Sequence, residues 1–133
     1  MVRGWIPGDA KSYYEQGIQA SLNQHGVGSG FDVYITNSEV AFTPGRELEQ
    51  ILTQKWIALF PNGYEAWAEW RRTGIPNLQP AANALTPSLQ IPRRQAYGTT
   101  EANLNTDNHQ EALTRQGFAN DDLDGRVCWD PNN

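Results

Sequence analysis

The chain has 133 residues, 38% of them apolar, with 12 Gly, 8 Pro and a formal net charge of -5. That length fits one domain spanning 1–133, with a modest core and much loop. The acidic balance, with basic pairs only at Arg71–Arg72 and Arg93–Arg94, excludes nucleic-acid binding by phosphate neutralisation and attraction to an anionic membrane surface.

Taken from the beginning, Met1-Val2-Arg3-Gly4-Trp5 offers no apolar h-region, so the chain as written predicts no secretory signal and either an intracellular protein or a piece of a longer one. Residues 8–24 read as a first helix. Asp9 follows Pro7 as an N-cap, Tyr14, Ile18 and Leu22 form one apolar stripe, and Gly26 is a stop. Gly17 weakens this helix by about 1 kcal/mol, or lets another helix come close. The glycine-rich stretch 25–30 must turn. The next six residues, FDVYIT (31–36), alternate as a short strand would, and equally fit one helical turn.

Residues 45–60 carry the clearest helical pattern, entered through Thr43-Pro44. Leu48, Ile51, Leu52, Lys55, Trp56, Leu59 and Phe60 repeat at three and four, with the Lys55 stem covering apolar surface. Pro61-Asn62-Gly63 breaks the chain, and a second helix is predicted over 63–73. Tyr64, Trp67, Ala68 and Arg71 share its face, Gly74 caps it and Pro76 follows. Two helices joined by three turn residues make an antiparallel hairpin similar to a single tetratricopeptide unit, with indoles packed between the helices. Pro76, Pro80, Pro87 and Pro92 forbid a long helix from 75 to 100, which reads as an extended connection. A last helix is predicted over 107–116, with Asp107 as N-cap, Ala112 and Leu113 inward and Gly117 closing it. The tail, 121–133, holds Val127 and Trp129, expected to dock back on the body. Its single cysteine, Cys128, excludes an internal disulfide and a cysteine-rich metal site. No run approaches the ~18 apolar residues of a membrane-spanning helix.

The ordered blocks resemble the C-terminal part of SusD/RagB nutrient-binding outer-membrane lipoproteins. ILTQKWIALF (51–60) and GYEAWAEWRRTG (63–74) are similar to that family's hairpin. Gly4-Trp5 with GDAKSYYEQGI (8–18) looks like the helix before it. IPRR (91–94), Tyr97 and EANLN (101–105) look like the arginine-rich crossing. Ala112-Leu113, Gln116-Gly117, Asp121-Asp122-Leu123 and Trp129-Asp130 look like the closing segment. The resemblance implies an all-α fold of helical hairpins, tetratricopeptide-like, with long Pro/Gly-rich connections. It implies a protein several times longer, lipid-anchored on the outer face of the outer membrane. Such a protein caps a SusC-like TonB-dependent transporter and captures oligosaccharide, or peptide in the RagB branch, without catalysis. Cys128 stands where the family often has an aromatic residue.

Each candidate site has a structural and a functional reading. Glu65, Glu69, Arg71 and Arg72 form an acid/base or clamping group, or a solvated helix face supported at i, i+3 and i+4. Trp56, Trp67 and Trp70 stack on sugar rings, or form an interhelical core, which their spacing favours. Trp5 and Trp129 read as packing anchors. Tyr34 and Phe42 lie outside the clear helices, and as loop aromatics they are the ligand-binding candidates, or they staple the loop to the body. Arg93 and Arg94 grip an anion, or bond carbonyls and carboxylates where the Pro-rich segment crosses helix ends. Asn120, Asp121, Asp122 and Asp124 lack the register of a calcium loop, so no metal site is predicted. His25 and His109 are expected at the surface. No nucleophile–base order, nucleotide loop or zinc motif stands out, so no catalytic residue and no cofactor is expected.

Overall fold

The computed structural model describes residues 7–130, and every regular element among them is helical. Two compact units divide the chain at Pro76–Asn77. Trp5, one of the expected packing anchors, and the rest of 1–6 and 131–133 lie outside the described residues.

In the first unit, α1 spans Ala10–Gln24. Asp9 starts it as expected: its carboxylate accepts the Ser12 N–H at 2.9 Å, filling one of the four donors that a helix start leaves open. Gly26, at φ 73°, turns the chain back, and the Val27 N–H then reaches the Leu22 carbonyl at 2.9 Å. Gly17 is exposed, with open space where a Cβ would sit, so no helix approaches it. A 3₁₀ turn, Gly28–Gly30, leads into α2, Phe31–Ile35, which resolves the ambiguous FDVYIT in favour of helix.

Helix α3, Glu47–Ala58, begins two residues after Gly45 and ends two before Phe60. Gly45 sits at φ 92°, outside helical space, and Pro61 disfavours helical backbone at Phe60. Asn62 then caps α4, Gly63–Thr73, accepting the Glu65 N–H at 3.3 Å, and Gly74 closes it at φ 71°. The peptide bonds before Pro61 and Pro76 are cis. The two helices fold back on one another, and Lys55 of α3 meets Glu69 of α4 at 3.1 Å.

The apolar centre of this unit is small: Tyr14 and Ile18 from α1 and Val40 from the following loop. Leu22, Phe31, Tyr34, Ile35, Phe42 and Ile51 pack around it, which brings α1, α2 and α3 together. The Tyr14 hydroxyl donates to the Val40 carbonyl at 2.6 Å, so a buried phenol and a loop carbonyl satisfy each other.

In the second unit the Pro-rich stretch is followed by a short helix, α5 (Thr99–Leu104), which the sequence pattern did not announce. It carries no apolar stripe: only Ala102 is half-buried, and Leu104 is exposed. Helix α6, Thr106–Gln116, starts at once. Asp107 is therefore not its N-cap but lies in its first turn, where a carboxylate still favours the helix dipole. Leu113 is buried, and Gly117 at φ 75° ends the helix.

The tail is held mainly by charge, a departure from the apolar docking expected. Val127 is half-buried and Trp129 exposed, whereas Asp130, 1% exposed, accepts from Arg93 at 2.8 and 2.5 Å and from Arg126 at 3.2 Å.

Candidate functional site

The two loop aromatics chosen from the sequence both sit against the first unit's core. Tyr34, on α2, is half-buried and donates its hydroxyl to the Gln54 amide oxygen of α3 at 3.0 Å. Phe42 is half-buried, its ring centroid 5.6 Å from that of Tyr14 at 54°. The loop carrying Phe42 is fixed by Gln50, which is 3% exposed. The Gln50 amide donates to the Ala41 carbonyl and accepts from the Thr43 N–H, both at 2.9 Å. A single side chain thus satisfies one donor and one acceptor of part-buried loop backbone. Apolar periodicity passed over Gln50 and Gln54. Their i, i+4 spacing on a helix opposite a long loop is the signal that would have found them.

The aromatic groups most open to solvent among the described residues lie elsewhere, at the α3–α4 turn and the start of α4. Phe60 is 74% exposed and Tyr64 72%. The Phe60 ring lies 6.3 Å from that of His25, at the end of α1. His25 is exposed, as expected. Trp56, Trp67 and Trp70 are all half-buried, consistent with helical spacing that turns them to the body. Trp67 faces the Arg71 guanidinium, whose central carbon is 3.6 Å from the ring centroid.

The charged group on α4 corrects the solvated-face reading in part. Glu65 and Arg72 are exposed, but Glu69 and Arg71 are buried. Glu69 accepts from Arg72 at 2.6 Å and from Lys55 at 3.1 Å. Burial pushes its carboxyl up, but the hydrogen bonds from Arg72 and Lys55 outweigh this and hold it below the usual glutamate value. That is the wrong direction for a proton donor at neutral pH.

In the second unit Arg93 and Arg94 bond carboxylates and a carbonyl, as the sequence favoured. Both N–H groups reach the Leu123 carbonyl, at 2.8 and 3.3 Å. The Arg94 side chain donates to Asp121 at 2.6 Å and to the Asp122 carbonyl at 2.8 Å. Its guanidinium lies 5.2 Å from the Tyr97 ring centroid and 5.0 Å from that of Phe118. Gly125 makes this possible: a Cβ there would stand 2.7 Å from the Phe118 ring and 2.9 Å from Arg94 Cδ. His109 is buried rather than at the surface, its ring edge-on to Tyr97 at 5.5 Å. Its Nε2 is 3.1 Å from Asp121 and must carry the proton, because an ionised carboxylate only accepts. Burial raises the Asp121 carboxyl, and the bonds from Arg94, His109 and the Tyr97 N–H carry it below its ordinary value. The acidic run is occupied internally. Asp122 accepts the Asp124 N–H at 3.0 Å, and Asp124 accepts the Ser88 N–H and hydroxyl at 2.8 and 2.7 Å.

Fold and site together define an all-helical hairpin module whose buried carboxylates are locked in ion pairs and whose freest aromatic rings sit on a turn. A family described as SusD-like, starch-binding and associating with the outer membrane matches residues 1–98. The chain belongs to this SusD-like family. Among solved structures it is similar to a chitin-binding protein, at 36% identity and a TM-score of 0.77, over 98% of this chain and 30% of that one. A SusD-like protein of Bacteroidetes matches at 35% identity and a TM-score of 0.80, over 97% of this chain and 27% of that one. A SusD homologue from Bacteroides uniformis matches at 32% identity and a TM-score of 0.78, over 94% of this chain and 32% of its own. The chain therefore spans under a third of the length of these relatives. No curated protein matches.

Proposed function

We propose that this chain takes part in the non-catalytic capture of oligosaccharide at the bacterial cell surface, within a SusC/SusD-type uptake system. The observation that carries this reading is the starch-binding family match over residues 1–98, joined by likeness to a chitin-binding protein. Glu69 and Asp121 are both engaged in ion pairs and held below their ordinary pKa values, which argues against either as a proton donor. Recognition then comes from apolar sugar faces on aromatic rings and a few hydrogen bonds in a shallow site. Tyr34 and Phe42 enter as ligand-touching candidates through the faces they leave to solvent. A SusC-like transporter is the proposed protein partner, and the outer face of the outer membrane the proposed location. Among the described residues no helix is long and apolar enough to cross a membrane.

Titration calorimetry of the chain against starch-derived and chitin-derived oligosaccharides, with short peptides alongside, tests this. Saturable heat with a sugar series is expected. Heat with peptides alone moves the reading to peptide capture, and silence with both overturns it. A second reading, a packing element of a longer protein, is favoured by the exposure of Val33, Leu85 and Leu104 and by the share of the relatives covered. Silence with every ligand selects it.

A further inference from the structure

We propose that the α3–α4 turn, through Phe60 and Tyr64 with His25 beside them, is a stacking platform for a neutral oligosaccharide. This rests on the reading of the chain as a glycan-binding module and supplies a site for it.

Burial separates the aromatic residues of the first unit. Tyr14 is buried, Tyr34 and Phe42 are half-buried in the same core, and the three indoles of α3 and α4 are half-buried. Among the described aromatics of this unit only Tyr13, Phe60 and Tyr64 are exposed, and the latter two leave nearly three-quarters of their surface to solvent. A single exposed aromatic is ordinary. Two within five residues, one on the turn after α3 and one in the first turn of α4, form a presentation of the kind that binding loops use.

Chemistry narrows the occupant. Nineteen per cent of the chain is charged, yet residues 56–64 (WIALFPNGY) hold no Asp, Glu, Lys or Arg, and neither does the neighbouring turn 23–31 (NQHGVGSGF). The contact between His25 and Phe60 places these two turns side by side. An anionic ligand would find no fixed cation on either turn, and a cationic one no carboxylate. What the surface offers is ring faces, negative at the centre and matched to the polarised C–H groups of a pyranose. The polar groups these segments carry, the Tyr64 hydroxyl, the His25 ring nitrogens and the Asn62 side-chain N–H, suit sugar hydroxyls. The turn does not depend on these rings for its shape. Asn62 caps α4, the Asn62 N–H meets the Leu59 carbonyl, and the Gly63 N–H meets that of Pro61 at 2.9 Å.

The test is the Phe60→Ala/Tyr64→Ala double variant of the 133-residue chain, titrated with the oligosaccharide that the unaltered chain binds best. Affinity should fall roughly tenfold or more, the scale of losing aromatic contacts. The unfolding midpoint should stay put, because both side chains are exposed. In the unaltered chain, sugar should shift the ring resonances of Phe60 and Tyr64. Unchanged affinity in the double variant, or ring shifts confined to Tyr34 and Phe42, overturns the platform while leaving glycan binding intact. An unaltered chain that binds no sugar overturns the functional reading and the platform with it.

Discussion

Asp121 accepts hydrogen bonds from three donors, and one of them, Arg94, is buried at 6% exposure. Removing the carboxylate leaves the guanidinium with the Asp122 carbonyl but takes away its counter-charge. Asp121→Ala should therefore destabilise the second unit by about 3 kcal/mol, as broken buried pairs do, read from urea unfolding. Asp121→Asn should cost less, since it keeps an acceptor oxygen. The sequence named both partners but not their pairing, because 27 residues separate them and no local period links them. The same limit hid the burial of His109, whose neighbours Tyr97 and Asp121 lie twelve residues away on either side. At the level of single residues, then, chemical type was readable and partnership was not. The aromatic turn shows this well: Phe60 fell on an apolar stripe and Tyr64 on a packed face, and only three-dimensional burial separates them from Trp56 and Trp67.

Helices were the most legible scale. Both ends of α4 follow from Asn62 and Gly74, and α1 begins where Asp9 says it should. Where expectation slipped, the cause was local: α5 has no apolar period, and α6 takes its first turn one residue before the carboxylate expected to cap it. Helix α3 holds more than its stripe. Gln50 projects from it into the loop 41–43, doing for backbone groups what a helix cap does. Gln50→Leu makes the side chain apolar at nearly the same size and takes this partner from the Thr43 N–H and from the Ala41 carbonyl, which keeps the Thr43 hydroxyl at 3.1 Å. It should lower stability by about 1 kcal/mol, the lower end of the penalty for a polar group left without its partner, since the site is part-buried. Loss of hydrogen-exchange protection at the Thr43 amide, with the amides of α4 little changed, would locate the effect.

Across the whole molecule, each unit contains an ion-paired carboxylate held below its ordinary pKa, the buried Glu69 in the first and the half-buried Asp121 in the second. A depressed folded-state pKa adds stability above the unfolded value and loses it as pH falls through the folded one. Stability should therefore hold at neutral pH, begin to decline near the ordinary glutamate value of 4.5, and continue to fall below the aspartate value of 3.8. Circular dichroism melts from pH 7 to pH 2 check this. A midpoint that does not move below pH 4.5 would mean that these pairs carry none of the stability. Glu47 and Glu49 are also lowered, but Glu49 is exposed and Glu47 only half-buried, and salt and solvent screen them.

Among the described residues the buried positions contain more polar side chains than apolar ones: Gln50, Glu69, Arg71, Thr86, Arg94, His109 and Asp130 against Tyr14, Ile18, Val40 and Leu113. An oily interior tolerates drift, because one aliphatic group substitutes for another if volume is kept. An interior of matched donors and acceptors does not, since each replacement orphans a neighbour. Lineages descending from this chain would be expected to exchange Leu22, Ile35 or Ile51 freely. They would change Arg94 with Asp121, or Lys55 with Glu69, only as paired events, leaving covariation rather than simple variability as the mark of the fold.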